Sequence, residues 1–283
     1  MLALVFAMTA ATAQTGRNAK VTVVMNTMNY KQQEQKKHAS SSDLVNVLLE
    51  ALGMKHEKAA SNSTSYQDAV RAAIVKGLAE SYRISAIDGM GATANCDYKV
   101  DATVANLSTT TKVMENRVDG KIRKVTEYKG LVNMTLQVKD AKTGRIVDNP
   151  TINISALDVA WTDTPQKAIV NALKELTYSV SKHFNKWLPL TANVLDGASV
   201  KKDKQKEVYI DLGTDEGAVK GVHFDVYSVK NVAGREAKSK IGRLKIEDVE
   251  GNDISLCKIT SGGKAVKSAL ESGGKLVVVS NEY

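Results

Sequence analysis

Three glycines stand four apart in "DLGTDEGAVKGVHFDVY", at Gly213, Gly217 and Gly221. Glycines at short intervals after a strand can cradle phosphate, because backbone N–H groups then reach an anion with no Cβ in the way. The spacing argues against that chemistry here. A Walker loop has four residues between its glycines, then Lys and Ser or Thr, and it opens a helix. In this chain Lys220 is followed by Gly221 and Val222, and the residues after them read as a strand. Asp215 and Glu216 would repel a triphosphate. Counted as a calcium loop from Asp211, the third position is Gly213, which has no side chain, and the twelfth is Val222 instead of glutamate. What is left is a turn system: strand, turn, Gly217 at positive φ, a second turn at Gly221, strand.

The remaining candidates for chemistry are scattered. "IDGMGATANC" holds Gly89 and Gly91 after a strand but lacks the third glycine of a dinucleotide fingerprint, so it reads as a flexible turn. The histidines are His38, His56, His183 and His223, and none has a histidine or cysteine at metal-ligand spacing. "KHEKA" around His56 falls short of a zinc-protease helix, because Ala60 stands where the second histidine belongs. There is no G-x-S-x-G elbow. Asp97, Asp101 and Asp158 fall in strand-like segments, where alternation puts them on solvent faces. Sequons begin at Asn62, Asn106, Asn133 and Asn153 and matter only in a host that glycosylates them. Cys96 and Cys257 are far apart in the chain and read as two free thiols; a single bridge would have to join distant segments. The expectation is a protein with no catalytic residue, no cofactor-binding residue, no cofactor and no metal site, and so not an enzyme.

The elements that carry these residues fall into two groups. "KVTVVM", 20 to 25, is apolar and β-branched and reads as a buried strand; 29 to 42 reads as a loop. "SDLVNVLLEALG" predicts a helix capped by Ser42 or Asp43 and stopped by Gly53. Residues 65 to 83 predict an amphipathic helix with Val70, Ala73, Ile74, Gly77 and Leu78 on one face, and Gly77 there implies close packing against a neighbour. "RISAID" reads as a second strand. From Tyr98 the period becomes two: Val100, Ala102, Val104, then Val132, Met134, Leu136, Val138. "DAKTGRIV" turns through Asp140 and Gly144, and "PTINISALDVAW" reads as a further strand. Residues 163 to 188 predict the longest helix, capped by Asp163 or Thr164 and ended by Pro189. Beyond a charged approach come "VYIDL", "HFDVYSV", "IGRLKIEDV", "ISLCKIT" and "KLVVVS", short strands with no helix of length among them. Such a run predicts a small barrel of SH3-like or OB-like kind.

Hydrophobic residues make up 43% of the 283 and charged residues 25%, enough to bury a core in each of two domains. The net charge of +8 is uneven: residues 1 to 191 hold 24 basic and 17 acidic side chains, residues 192 to 283 hold 15 and 14. A basic first domain suits an anionic partner such as a glycan or nucleic acid, although the charge is spread out. Base stacking would need aromatics on a barrel face, and its strands hold only two tyrosines, Tyr209 and Tyr227. "MLALVFAMTAATA" is uncharged and ends in Ala11-Thr12-Ala13, a small-x-small pattern read by signal peptidase, though without a basic lead. Residues 1 to 13 are thus expected to be a signal peptide, with Gln14 as the new first residue. No cysteine follows as a lipid anchor, and no later run reaches the ~18 apolar residues of a membrane helix.

In this order of elements the chain resembles the curli-secretion CsgG family and relatives of its α/β domain: the LpoB-type activators, TolB N-terminal domains and FlgT proteins. "AAIVKGLAESYRISAID" is similar to the family's helix-then-strand, "CDYKVDATVANL" to its next strand, and "LQVKDAKTGRIV" to the strand and turn after that. "VYIDLGTDEGAVKGVHFDVYSV" with "IGRLKIEDVEGNDISLCKI" resembles the FlgT C-terminal β domain. The resemblance implies an α+β chain: a CsgG-like α/β sandwich over 17–190, with a mixed sheet and three main helices, then a small all-β domain over 192–283. It also implies a non-enzymatic envelope scaffold for assembly or secretion, periplasmic or outer-membrane-associated, that binds other envelope proteins and can form homo-oligomers. The curli channel inserts hairpins into the outer membrane. The matching hairpin here, "STTTKVMENRVDGKIRKVTEYKG", carries Lys121 and Arg123 on one face and Lys124 on the other by the register the sequence suggests, which leaves no lipid-facing strand.

Overall fold

The computed structural model describes residues 17–30, 66–89, 95–118 and 121–281. The signal segment, the helix expected over 43 to 53, His38, His56, Asn62 and Gly91 lie outside them. The chain divides into two compact units, Val21–Pro189, and Leu190–Tyr283 together with Met1–Lys20. Residues 17 to 20, grouped with the first domain on sequence grounds, therefore fold with the second.

The α/β unit holds β1 (Val21–Tyr30), α1 (Tyr66–Ala79), β2 (Ile84–Asp88), β3 (Tyr98–Val118), β4 (Lys121–Asp140), β5 (Ile146–Asp148), β6 (Thr151–Ile154) and α2 (Pro165–Trp187). The sheet runs β2-β1-β3-β4-β5, with β6 also on β4. The β1 pairings with β2 and β3 are parallel and the others antiparallel, so the sheet is mixed. The period-two residues Val100, Ala102, Val104, Val132, Met134, Leu136 and Val138 face the buried side. There they meet Val70, Ala73, Ile74 and Leu78 of α1 and Leu173, Leu176, Val180 and Phe184 of α2 in one core. Thr164 caps α2 by accepting the Lys167 amide, and Pro165 follows at its first turn. Gly77 faces α2 closely enough that a Cβ there would lie 2.6 Å from the Thr177 carbonyl oxygen.

Two readings change. β1 continues past Met25 to Tyr30 through a bulge at Asn26 and Thr27, where a loop was expected from 29. The bulge is held from both faces of the sheet. The Arg71 guanidinium of α1 donates to the Met25 and Asn26 carbonyls and to Asp88. From the other side Asp101 accepts from the Asn26 amide, the Thr27 N–H and hydroxyl, and Lys139. The strand expected through "PTINISALDVAW" stops at Ile154. Asp158 accepts the Ser155 N–H and hydroxyl, and this local turn competes successfully with the ladder.

The second unit holds β7 (Thr191–Lys201), β8 (Lys204–Ile210), β9 (His223–Val232), β10 (Arg235–Val249), β11 (Ser255–Ser261), α3 (Gly263–Glu271) and β12 (Lys275–Asn281). Six strands close in the order β10-β11-β8-β7-β12-β9, so the barrel has no open edge. It is not all-β: α3 packs on it through Val266. Nine residues between glycines, with one buried apolar side chain, give too weak a period to mark a helix in the sequence. The charged approach "VKKDKQKE" is the β7–β8 hairpin, with Lys202 and Asp203 both at positive φ in its turn. Arg17 clasps Asp211, and the Asn18 side chain exchanges hydrogen bonds with the Thr191 backbone.

Candidate functional site

The glycine stretch is a turn system. Thr214–Glu216 form a single 3-10 turn ended by Gly217 at φ +88°, and Gly221 follows at φ +97°. Gly213 lies so close to Asn252 that a Cβ would fall 2.1 Å from backbone carbon. The Asp211 carboxylate, which a calcium loop would offer to a cation, is turned onto Arg17 and onto the Asn193 amide groups. Burial pushes its pKa up, but these bonds outweigh that and hold it below the usual carboxylate range.

The other singled-out residues also have local partners. Gly89 packs against Val24 and Met25 of β1. His183 Nε2 lies 2.6 Å from Asp148 and His223 opens β9. Cys96 and Cys257 are free thiols, and burial pushes Cys257 up to about 12, which keeps it unreactive. Among the described residues no cluster of His, Cys, Asp and Glu could hold a metal ion. Asp97 accepts the Thr22 amide, a structural bond within the sheet.

Asp101 lies on the face that alternation suggests, opposite the core, but its neighbours cover it and its side chain is 16% exposed. Burial raises its pKa, and the bonds from Lys139, Thr27 and Asn26 more than reverse that and bring it from 3.8 to about 2. A carboxylate depressed on folding stabilises the protein above its unfolded pKa and loses that contribution as pH falls through the folded value. Asp101→Asn is therefore expected to cost about 2 kcal/mol at pH 7. In urea titrations the gap to the parent should narrow below pH 4 and close near the folded value of about 2.

Two surfaces have no such internal explanation. The first is the far end of the β3–β4 hairpin. β1 leaves β3 at Val104, β6 leaves β4 at Val132, and a last bridge joins Tyr128 to Thr162. Among the described residues, Lys112–Val118 and Lys121–Glu127 pair beyond that bridge only with each other. At ~3.3 Å per residue this arm extends roughly 25 Å. Val113 and Ile122 on it are 59% and 62% exposed. The observed register keeps Arg123 and Lys124 on opposite faces, as the sequence suggests. Glu115 opposes Lys124 and Arg117 opposes Ile122 on one face; Lys112 opposes Glu127 on the other, which Arg123 shares. Both faces carry charge.

The second surface is the sheet face turned away from α1 and α2. Strand register lays polar rungs across it. Thr103, Thr135 and Thr151 form one, and Asn106, Asn133 and Asn153 form the next. Their mutual bonds are few and long: 3.4 Å from Asn133 to Asn153, 3.5 Å between Thr135 and Thr151. The asparagine rung borders a depression of about 620 Å³, lined also by Thr110, Leu131 and Ser155. Towards the arm, Lys129 lies 4.9 Å and Lys112 6.0 Å from the ring centroid of Trp161, and Lys129 also donates to the Ala156 carbonyl. Trp161 stays 37% exposed. Sequence reading passed over this cluster, although three of its members start the sequons. N-x-S/T in a strand is also a same-face polar pair, and three such pairs in neighbouring strands were the available signal.

No protein-family model and no curated protein matches the chain. Solved structures give partial likenesses. A Xanthomonas campestris protein of the DUF330 family is 10% identical, with 60% of this chain and 85% of that one covered and a TM-score of 0.33. A PelC dodecamer from Paraburkholderia phytofirmans is 13% identical over 58% and 89%, with a TM-score of 0.30. A Helicobacter pylori protein described as a neuraminyllactose-binding hemagglutinin homolog is 11% identical over 60% and 82%, at 0.31. Values of this size leave the function to be read from the chain itself.

Proposed function

We propose that the protein is a non-enzymatic component of the bacterial cell envelope, periplasmic or outer-membrane-associated, that binds other envelope proteins through the β3–β4 arm. The observation that carries this reading is the arm itself. A lone two-stranded ribbon is marginally stable in water, and this one exposes Val113 and Ile122 beside strand edges that no described strand pairs. Open edges with alternating apolar side chains are the material of strand-addition contacts with a partner. The envelope setting is supported by the apolar start ending in Ala11-Thr12-Ala13 and by the CsgG-like order of elements. Among the described residues no helix is long and apolar enough to cross a membrane.

The test is a shortened arm. Replacing residues 112 to 127 with Asn-Gly joins Thr111 to Tyr128, which already face each other. The variant is expected to melt within a few degrees of the parent and to lose at least about tenfold of the parent's crosslinked partners in envelope fractions, the loss that ~1.4 kcal/mol of contact energy produces. Retention of the same partners at the same yield would overturn the reading.

A further inference from the structure

The polar face described above has a composition that folding does not require. A sheet face left uncovered by helices needs polar side chains, and lysine, glutamate or serine would serve. Here the face that no described helix covers instead concentrates primary amides and threonine hydroxyls in register across three strands, Asn106–Asn133–Asn153 beside Thr103–Thr135–Thr151. Each amide carries two donors and a two-lone-pair acceptor, and each hydroxyl donates and accepts. Such groups match a ligand whose own groups are hydroxyls, each both donor and acceptor. Neighbouring strands lie about 4.8 Å apart, close to the length of one pyranose ring in a polysaccharide chain.

The end of the face nearest the arm adds two further properties. The half-exposed indole of Trp161 offers a flat apolar surface, the kind that packs on the C–H face of a sugar ring. Lys129 and Lys112 lie against that indole and hold two positive charges at its rim. Glu127, opposite Lys112, closes the basic patch on the arm side. Hydroxyl recognition, ring stacking and positive charge thus follow one another along one face, over a depression whose apolar floor, with Ala105, Leu131 and Ala156, is rimmed by Asn106, Asn133 and Asn153.

We propose that the face of the α/β unit turned away from α1 and α2, from the asparagine rung to Trp161, is a binding site for an acidic polysaccharide of the uronic-acid type. The rungs hydrogen-bond the sugar hydroxyls, Trp161 packs on a ring, and Lys129 and Lys112 pair with carboxylates. This site does not depend on the protein contacts of the arm tip and can be tested separately from them.

The experiment is calorimetric titration of the full chain with oligogalacturonate of six residues, alongside neutral maltohexaose and a single-stranded oligonucleotide of equal charge. Saturable binding of the uronate is expected, about tenfold or more tighter than either comparison ligand. Asn133→Ala with Asn153→Ala, and separately Trp161→Ala, should each weaken it about tenfold, while Lys129→Met should flatten its salt dependence. All the variants are expected to keep the parent's melting temperature within a few degrees, because none of these side chains is in the buried core. Three results would each overturn the proposal: no saturable uronate binding, equal binding of the oligonucleotide, or uronate affinity unchanged in both the double asparagine variant and Trp161→Ala. The shortened arm also removes Lys112, so it should bind the sugar more weakly than the parent and with a flatter salt dependence, and the arm-tip reading is separated from this one by the Asn133, Asn153 and Trp161 variants, which should keep the protein partners.

Discussion

Gly77→Val is expected to lower the stability of the α/β unit by about 3 kcal/mol, the largest loss from any single added side chain on α1. Helix propensity alone predicts the opposite sign, since replacing glycine by alanine inside a helix gains about 1 kcal/mol. Geometry decides. A Cβ at position 77 would lie 2.6 Å from the Thr177 carbonyl oxygen and 2.7 Å from Val180 Cβ, both fixed parts of α2. Neither is the loose end of a side chain, so the helices must separate. That separation opens the core shared by Ile74, Leu78, Leu173 and Leu176. Gly77→Ala should fall between parent and valine, its propensity gain consumed by the same collision. Chemical denaturation of the three proteins, with the slope checked for constancy, measures the order; a valine variant as stable as the parent would refute the helix contact.

Arg71→Met is expected to cost about 3 kcal/mol, although methionine keeps the apolar stem. The guanidinium is buried and satisfies the Met25 and Asn26 carbonyls as well as Asp88. Losing it leaves the Met25 carbonyl at the bulge with the Gly89 amide as its one remaining donor and takes the guanidinium from the Asn26 carbonyl, and each lost bond to a charged donor costs ~1.5–3 kcal/mol. Asp88 gives the contrast. Its side chain is 48% exposed, so the carboxylate can return to water, and Asp88→Asn should cost no more than about 1 kcal/mol. If the two substitutions prove equally damaging, the ion pair and not the carbonyls holds this corner.

Much of the frame was legible because periodicity is a burial signal. The alternation of Val132, Met134, Leu136 and Val138, and the helical face of Val70, Ile74 and Leu78, needed only one covered side each to be read. Gly77 was legible for the same reason, as a small residue on an apolar face. The bulge was not. Its supports, Arg71 and Asp101, look like ordinary surface charges along the chain, and only the crossing of three elements makes them internal. Helix α3 escaped because a short helix capping a closed barrel buries a single apolar side chain, Val266. The asparagine rung escaped because register between strands is a property of pairs of segments. In one dimension Asn106, Asn133 and Asn153 were three unrelated sequons.

The clasp of Arg17 and Asn18 on the barrel has a consequence for how the molecule is made. Asn18 bonds Thr191, 173 residues further on, and Arg17 bonds Asp211, 194 residues further on. The whole α/β unit lies between these partners in the chain. During synthesis from the N-terminus, the first described residues must wait until nearly all the rest has emerged. The barrel thus takes two of its side-chain clasps from residues made before the whole α/β unit. A barrel expressed from residue 190 onward would leave Asp211 without its guanidinium, and supplying residues 14 to 20 as a separate peptide should restore the missing protection from amide exchange at Thr191.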